Sequence, residues 1–279
     1  MSHPELERLG REYGWESKLK ELAVEGALSN QNWTAPKSTY SEYQTTLLND
    51  VGSSGWWHET RNRIIVRTLH SFGFVDCLWD VGSGPGIVGS FLIRSGFSCI
   101  GVEPSRSGVL LSAENGLTTI ESDLESLKLP SESIQCVGLF DVIEHVENRT
   151  FLLTEVFRCL HKDGKLVITV PAFKWLWSVA DNDVGHHLRY SRGTLKRELR
   201  KNGFDVQSSK YMFFSLVFPI LLLRAIPFRI GIRQPVKDTV LLRQVSGRFG
   251  KILGRIESEI SRITPIGSSL LVVATKRSE

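Results

Sequence analysis

A run of glycines directly follows an aspartate in the stretch DVGSGPGIVG. Glycine lets the backbone approach a ligand closely, and the free N–H groups at a helix N-terminus can bind the polar groups of that ligand. Gly84, Gly86 and Gly89 fit the G-x-G-x-x-G fingerprint of a dinucleotide site. Gly82, Gly84 and Gly86, which come after Asp80, fit instead the glycine loop of an S-adenosylmethionine (SAM) site. The glycines alone leave both cofactors open.

Acidic residues lie at three predicted strand ends, and two of them, Asp80 and Asp123, favour SAM. Asp80 ends the strand before the glycines, where a fixed carboxylate would repel a pyrophosphate but attract the ammonium and sulfonium groups of SAM. Glu103 ends the next strand and can accept both ribose hydroxyls, which either cofactor offers. Asp123 ends the third strand, where it can bind the adenine amino group. Ligands of open α/β sheets bind along this carboxyl edge, so these residues predict a SAM site.

Two histidines lie where they could assist the acceptor of a methyl group transferred from SAM. His145 lies in FDVIEHVEN, which ends the fourth predicted strand, and His186 lies in a polar segment after the fifth strand. An oxygen acceptor usually needs a general base, and histidine suits that role near pH 7. The alternatives are structural: His145 as a helix-start residue held by a carboxylate, and His186 as a loop residue. His187 is a less favoured candidate because it is predicted to point away.

The same polar segment carries candidates for binding the acceptor. Arg189 and Trp177 are predicted to contact it, since a guanidinium binds phosphate or carboxylate and an indole can form a pocket wall. Tyr190 is predicted as a third catalytic residue. As alternatives, Arg189 anchors the loop through an ion pair with Asp181 or Asp183, and Trp177 belongs to the core.

Short apolar runs alternate with helical segments over most of the chain. The predicted strands are Cys77–Val81, Cys99–Glu103, Thr119–Asp123, Ile134–Phe140, Lys165–Val170, Phe204–Met212 and Ser268–Lys276. The predicted helices between them are Ile87–Ser95, Thr150–His161 and Gly193–Lys201. This alternation predicts a doubly wound α/β fold, a mostly parallel sheet with helices on both faces.

The order and spacing of DVGSGPG, Glu103, Asp123, FDVIEHVEN and FRCLHKDGKLVITVPA resemble those of the class I SAM-dependent methyltransferases. The resemblance covers Cys77–Pro171 and extends with a compatible remainder to Thr275. It implies a seven-stranded, Rossmann-like sheet whose last strand is antiparallel. It also implies that the cofactor is SAM, with contacts from Asp80, Gly82, Gly84, Gly86, Glu103, Asp123, Phe140 and Asp141.

Two further segments resemble a bacterial subset of these methyltransferases whose substrates are mostly undefined. The subset has tryptophan and arginine before the core, as in GWWHETRNRII here, and a W-S-x-x-D-x-x-x-G-H-x-R-R-Y run after the fifth strand. The matching residues are Trp177, Ser178, Asp181, Gly185, His186, Arg189 and Tyr190. Leu188 replaces the first arginine of the run, so any role of that guanidinium does not transfer.

These residues predict an enzyme that transfers a methyl group from SAM to a small-molecule or lipid-linked acceptor, with oxygen as the favoured atom. The first alternative is a SAM-binding module without catalysis. The second is a nicotinamide-dependent oxidoreductase, which Asp80 and FDVIEHVEN disfavour. A nucleic-acid partner is not expected, because the chain has a formal net charge of only +4 and no separate recognition domain.

The composition of the 279 residues, 41% hydrophobic and 23% charged, is that of a globular protein with a sizeable core. The four cysteines lie far apart, which predicts free thiols and no metal site. The N-terminus carries no apolar signal segment, so a cytoplasmic location is expected, with membrane association as an addition.

The predicted organisation is a polar, helical N-terminal cap over residues 1–70 and a SAM-binding domain over residues 71–279. The cap has a weak helical pattern around Ser2–Leu28, and Trp56 to Arg61 are interpreted as helix packing, with a lid over SAM as the alternative. An insertion at about 212–266 joins the apolar run MFFSLVFPILLL to a helix whose apolar face is flanked by basic residues. Burial in a core subdomain or a homodimer is slightly favoured for this insertion over peripheral membrane contact through residues 212–262.

Overall fold

A computed structural model describes residues 28–29, 55–74, 76–232, 248–261 and 263–277. Most of the predicted N-terminal cap, including its helical pattern up to residue 27, lies outside these described residues, as does the middle of the predicted insertion. The division into a cap and a SAM-binding domain therefore remains a prediction.

The described residues form one mixed sheet. Its strands are β1 (Leu28–Ser29), β2 (Cys77–Val81), β3 (Ser98–Glu103), β4 (Thr119–Glu121), β5 (Ile134–Phe140), β6 (Leu160–Pro171), β7 (Phe204–Met212) and β8 (Ser269–Lys276). Their spatial order is β1-β4-β3-β2-β5-β6-β8-β7. The strands from β1 to β6 pair in parallel, and β8 is antiparallel to both β6 and β7. The predicted fold class, with its antiparallel last strand, is confirmed; β1 adds a two-residue eighth strand at the edge.

Helices cover both faces of this sheet. They are α1 (Trp56–Ser71), α2 (Ile87–Arg94), α3 (Arg106–Glu114), α4 (Arg149–Cys159), α5 (Val179–Asp183), α6 (Arg192–Lys201), α7 (Val217–Ile220), α8 (Ile226–Arg229) and α9 (Arg248–Ile260). A π-helical turn, Leu221–Ala225, joins α7 to α8. Short 3₁₀ turns are formed by Ile143–His145, Lys174–Leu176 and Phe214–Leu216.

The sheet is buried on both faces, as its continuous apolar strands predict. Successive residues of a strand point to opposite faces. Trp79 accordingly packs in one core cluster and its neighbour Leu78 in the other. Along β8, Val272 and Val273 divide in the same way between the two clusters. This double covering leaves the ends of the strands as the place where polar side chains can gather.

The insertion packs against α1 through small and polar residues. A Cβ atom at Gly254 in α9 would lie 2.3 Å from Oγ1 of Thr60, so the two helices approach closely. The buried carboxylate of Glu257 accepts hydrogen bonds from the backbone N–H groups of Phe214, at 3.0 Å, and Ser215, at 2.7 Å. This contact holds the start of the segment that leads into α7 against α9.

The apolar stripe of α9 faces outward. Ile252 and Ile256, within the helix, and Ile263, just beyond it, are 54%, 50% and 84% exposed. Within one chain these three residues are therefore not buried in a core subdomain, and their burial in a homodimer remains a prediction. The physical reason is that the opposite, small-residue face allows a closer approach to α1. Among the described residues no helix has both the length and the apolar composition needed to cross a bilayer.

Candidate functional site

The glycine loop between β2 and α2 adopts a backbone conformation that needs glycine. Gly82, Gly84 and Gly86 have φ angles of +75°, +53° and +73°, in the left-handed region. A Cβ at Gly82 would lie 2.9 Å from Val142, and one at Gly86 would lie 2.4 Å from Oγ of Ser112. At Gly84 a Cβ would meet no heavy atom of the described chain within 4 Å. Gly82 and Gly86 thus pack closely against neighbouring residues, whereas the loop is open at Gly84. This arrangement fits a cradle for a ligand.

Asp80 presents an unsatisfied carboxylate oxygen at the end of β2. The side chain is buried, and its Oδ2 has no hydrogen-bond partner in the described part of the chain. Burial raises the pKa of Asp80 to about 7, although the nearby Arg61 guanidinium opposes this shift. A buried carboxylate oxygen without a partner is unfavourable, so this position suits a cationic group of a ligand.

Glu103 links the end of β3 to the glycine loop. Its Oε2 accepts a hydrogen bond from N of Gly84 at 2.8 Å, and its Oε1 accepts one from N of Ser105 at 2.9 Å. Each carboxylate oxygen has two lone pairs, so both oxygens can still accept a ribose hydroxyl. The structure therefore gives Glu103 a loop-ordering role that the sequence did not show, beside its predicted role toward the cofactor.

Asp123 lies beyond β4 instead of ending it. The strand stops at Glu121, and Oδ1 of Asp123 accepts a hydrogen bond from N of Ser126 at 2.7 Å. The predicted strand is too long here because the Asp123 side chain begins a turn. Its predicted contact with the adenine group remains a prediction.

Arg61 brings α1 to the carboxyl edge of the sheet. Its buried guanidinium pairs with the carboxylate of Asp141, directly after the buried Phe140, and lies 4.8 Å from the ring of Trp57. Trp57 stacks on Phe213 with ring centroids 5.3 Å apart. The favoured interpretation of this segment as helix packing fits these contacts. The pairing of Arg61 with Asp141 was not foreseen.

The two predicted catalytic histidines lie side by side with a buried glutamate. Glu144 and His145 belong to the 3₁₀ turn after β5, and the rings of His145 and His186 have centroids 4.7 Å apart. Nε2 of His186 lies 4.0 Å from Oε1 of Glu144. Glu144 is fully buried, and neither of its side-chain oxygens has a hydrogen-bond partner among the described residues. Sequence reasoning missed Glu144, although it adjoins His145 in the FDVIEHVEN motif.

Asp181 holds both His186 and Arg189. Its Oδ1 lies 2.8 Å from Nδ1 of His186 and accepts from Nε of Arg189 at 2.6 Å, and its Oδ2 accepts from Nη2 of Arg189 at 3.1 Å. Burial alone would raise the pKa of Asp181, but the hydrogen bond with His186 and the Arg189 guanidinium lower it to about 2. Nη1 of Arg189 also donates to the carbonyl of Ala172 at 3.1 Å. These bonds favour the anchoring alternative for Arg189 over the predicted contact with an acceptor.

The remaining candidates of the segment differ in exposure. Tyr190 is fully buried in the hydrophobic core, and its backbone forms an isolated β-bridge with Ala172. This burial raises the pKa of its hydroxyl. The structure thus gives Tyr190 a packing role, in place of the predicted catalytic one. Trp177 is half-buried and donates from Nε1 to Oδ1 of Asn182 at 3.0 Å, while the His187 side chain is exposed.

The glycine loop and this polar cluster adjoin because β2 and β5 are neighbouring strands. The strands pair in parallel, so the loops at their carboxyl ends emerge side by side. The close approach of Gly82 to Val142 is the contact between them. One edge of the sheet therefore presents a ligand cradle next to a cluster of one carboxylate and two imidazoles.

Comparison with known proteins identifies the family. A family model described as a methyltransferase domain matches residues 56–209. No curated protein matches the sequence. Many solved structures are similar to this chain, and for the three described below the sequence identity is low enough that the similarity shows the fold alone. A SAM-dependent methyltransferase from Thermotoga maritima has a TM-score of 0.54 and 18% identity, covering 86% of this chain and 100% of that one.

The other two structures cover slightly different shares. A SAM-dependent methyltransferase from Archaeoglobus fulgidus has a TM-score of 0.50 and 20% identity, covering 77% of this chain and 94% of that one. Phosphoethanolamine N-methyltransferase 2 from Haemonchus contortus, in complex with SAM, has a TM-score of 0.54 and 17% identity, covering 87% of this chain and 59% of that one. The shared architecture is the one described above.

Proposed function

Since the chain belongs to the methyltransferase domain family, whose model matches more than half of it, we propose that it transfers the methyl group of SAM to an acceptor oxygen. One observation carries this proposal: the open cradle at Gly84 and the unpaired Oδ2 atom of Asp80 adjoin the cluster of Glu144, His145 and His186. The cradle with Asp80 fits the methyl donor SAM, and the cluster of Glu144, His145 and His186 fits a polar acceptor.

The residues of the cradle fit SAM. When bound, SAM supplies an electrophilic methyl group on a sulfonium. Asp80 would bind the ammonium group, because its Oδ2 is buried and has no hydrogen-bond partner among the described residues. Glu103 would accept the ribose hydroxyls, and the backbone at Gly84 leaves room for a ligand at van der Waals distance.

The polar cluster would align the acceptor with the methyl group. The lone pair of the acceptor oxygen forms the bond to the methyl carbon, the carbon–sulfur bond breaks, and its electron pair goes to sulfur. The proton of the acceptor leaves through the polar cluster to solvent. Much of the rate of such a displacement comes from in-line positioning. Asp181, by holding His186 and Arg189, would fix this positioning.

Formation of S-adenosylhomocysteine (SAH) tests the proposal. The protein is incubated with SAM and panels of hydroxylated small molecules, lipid-linked sugars and amines, and SAH and methylated products are measured by mass spectrometry. A product methylated at oxygen supports the proposal. SAH binding without any product would support the non-catalytic alternative, and methylation at nitrogen would correct the acceptor atom.

Gly84 offers a matched test of the cradle. Gly84 and Gly73 both have positive φ angles, +53° and +63°, and neither would place a Cβ within 4 Å of another heavy atom. An alanine at either site should therefore cost a similar backbone strain of about 1–2 kcal/mol in the free energy of unfolding. Only Gly84→Ala should lose SAH affinity in calorimetric titration. Equal SAH affinity in the two variants would place the cofactor elsewhere.

The affinity for SAH is expected to fall as the pH drops below about 7. Burial raises the pKa of Asp80 to about 7, with Glu103 adding to the shift and Arg61 opposing it. The ammonium group binds the ionised carboxylate, so protonation at lower pH weakens binding, by up to about tenfold per pH unit. Titrations at several pH values between 5.5 and 8 should show this slope in the native protein and a flat profile for Asp80→Asn.

We also propose that the insertion contacts an anionic membrane surface. The segment from α7 to the residues after α8 carries six apolar side chains that are 39–68% exposed: Phe218, Leu222, Leu223, Ile226, Ile230 and Ile232. Nine basic residues against three acidic ones lie between Arg224 and Arg262, which complements anionic lipid. Nη2 of Arg229 donates to the carbonyl of Trp175 at 2.8 Å, so α8 adjoins the segment that leads to Asp181. A lipid-linked acceptor would thus be presented near the site.

Vesicle binding should depend on this apolar segment. The native protein is expected to sediment with vesicles containing anionic lipid at low salt, and the double variant Leu222→Asp/Ile230→Asp should remain in the supernatant. Leu110→Asp, at an exposed apolar residue of α3, is the matched control and should still bind. Native protein that stays in the supernatant would refute the membrane contact, and a dimer in gel filtration would then assign the apolar surface to a second copy.

A further inference from the structure

Glu144, His145 and His186 form a set of metal-ligand groups. One ligand atom from each lies within 4.8 Å of the other two, and the set combines a carboxylate with two imidazoles. The Glu144 carboxylate is fully buried and has no hydrogen-bond partner within the described ranges. A buried carboxylate in this condition needs a cation or a proton to neutralise it.

The imidazoles have the outer partners typical of metal ligands. Histidines that bind metals usually donate their other ring N–H to a carboxylate or a backbone carbonyl. Nδ1 of His186 lies 2.8 Å from Oδ1 of Asp181, and His145 hydrogen-bonds with the backbone of Gly185. With its proton on Nδ1, His186 directs the lone pair of Nε2 toward the Glu144 carboxylate, which is another acceptor, 4.0 Å away. Two acceptors face each other, and a cation between them would satisfy both.

The charges around the cluster leave a deficit of positive charge. Asp141, Glu144 and Asp181 carry carboxylates, whereas Arg61 and Arg189 supply two guanidiniums, paired with Asp141 and Asp181. Of these three carboxylates, Glu144 alone forms no ion pair with an arginine in the described part of the chain. A divalent cation at Glu144 would remove this deficit.

We propose that Glu144, His145 and His186 bind a divalent transition-metal cation that holds the acceptor oxygen. Two nitrogens and a carboxylate suit Zn²⁺, Mn²⁺ or Fe²⁺ better than Mg²⁺ or Ca²⁺, which prefer oxygen ligands. Three protein ligands leave a coordination position open for an acceptor oxygen, as in catalytic zinc sites. The ligand atoms would move together, since a tetrahedral site with bonds of about 2.1 Å sets them about 3.4 Å apart. The cation itself binds independently of methyl transfer, but its role toward the acceptor rests on the proposed function. This inference revises the expectation from the sequence that the chain has no metal site.

Metal titration tests the proposal directly. Protein without a polyhistidine tag is stripped with chelator and titrated with Zn²⁺ by calorimetry and with Co²⁺ by visible absorption. One equivalent of each is expected to bind, with Co²⁺ bands that report nitrogen and oxygen ligands. Glu144→Gln and His186→Ala should abolish this binding, and Asp181→Asn should weaken it by about tenfold or more. His187→Ala removes an exposed neighbouring imidazole and should leave it unchanged.

The outcomes separate the metal site from the proposed function. Absence of one-equivalent binding in the native protein, or binding that survives both Glu144→Gln and His186→Ala, would overturn the metal site. A calorimetric titration with SAH on the same stripped samples reports the donor site independently. SAH binding without metal binding would refute only the inference, whereas metal binding without SAH binding would refute the proposed donor site.

Discussion

The Asp181→Asn variant is expected to lose about a hundredfold in methyl-transfer rate while binding SAH as tightly as the native protein. Asp181 is buried and makes one bond to Nδ1 of His186 and two to the guanidinium of Arg189. An asparagine keeps the shape but removes the charge that orients both groups. The imidazole then no longer has a fixed tautomer or ring position beside Glu144. The rate with the acceptor identified by the SAH assay is the measurement.

Asp183→Asn is the matched control for this prediction. Asp183 lies on the same short helix, α5, but is exposed. Its variant should retain the native rate, and circular dichroism should show that both variants are folded. A native rate in Asp181→Asn would remove the polar cluster from the mechanism. A parallel loss of SAH affinity would show that Asp181 acts on the whole fold.

Glu103→Ala is expected to weaken SAH binding by at least about a hundredfold. Hydrogen bonds to a charged group contribute about 1.5–3 kcal/mol each, and two such bonds to the ribose hydroxyls would be lost. The change also removes the bonds from Glu103 to N of Gly84 and N of Ser105, so the glycine loop loses its tie to β3. Calorimetric titration with SAH measures the effect.

Glu121→Ala controls for loss of a carboxylate at the same edge of the sheet. Glu121 ends β4, the strand next to β3, and its carboxylate pairs at 2.7 Å with Arg106, whose side chain is exposed. This variant should bind SAH with native affinity. If Glu103→Ala and Glu121→Ala behaved alike, Glu103 would not contact the cofactor.

The sheet and its functional edge were predictable because they depend on local patterns. Apolar runs bounded by turn residues predicted β2 and β5 with the bounds observed. The carboxyl ends of parallel neighbours meet in space, so the adjacency of the glycine loop and the residues after β5 followed from topology. For the same reason His145 and His186 could both be assigned to one site, although 41 positions separate them in the sequence.

Contacts between distant segments could not be predicted in the same way. The sequence suggested Asp181 only as one of two alternative partners for Arg189. Nothing in the residue spacing shows that His186 also contacts the Asp181 carboxylate. Nothing in the sequence singles out Glu144 as a buried residue, and only the fold shows that it is buried. The pairing of Arg61 with Asp141 depends on how α1 crosses the sheet edge.

The orientation of α9 shows the limit of periodicity. Hydrophobic spacing located an amphipathic helix, and the usual rule favoured burial of its apolar stripe in a core subdomain or a homodimer. The fold buries the small and polar face instead, because Gly254 allows contact with Thr60 and Glu257 binds the backbone of Phe214. Periodicity reports that two faces differ, whereas packing decides which of them is covered.

Calorimetric titration of the native protein with SAH and, in parallel, with NADH tests the central claim most directly. We expect micromolar binding of SAH at one site and no binding of NADH, because Asp80 would repel a pyrophosphate at the glycine loop. Binding of NADH in preference to SAH would rule out a SAM site at the glycine loop and make the loop a dinucleotide site.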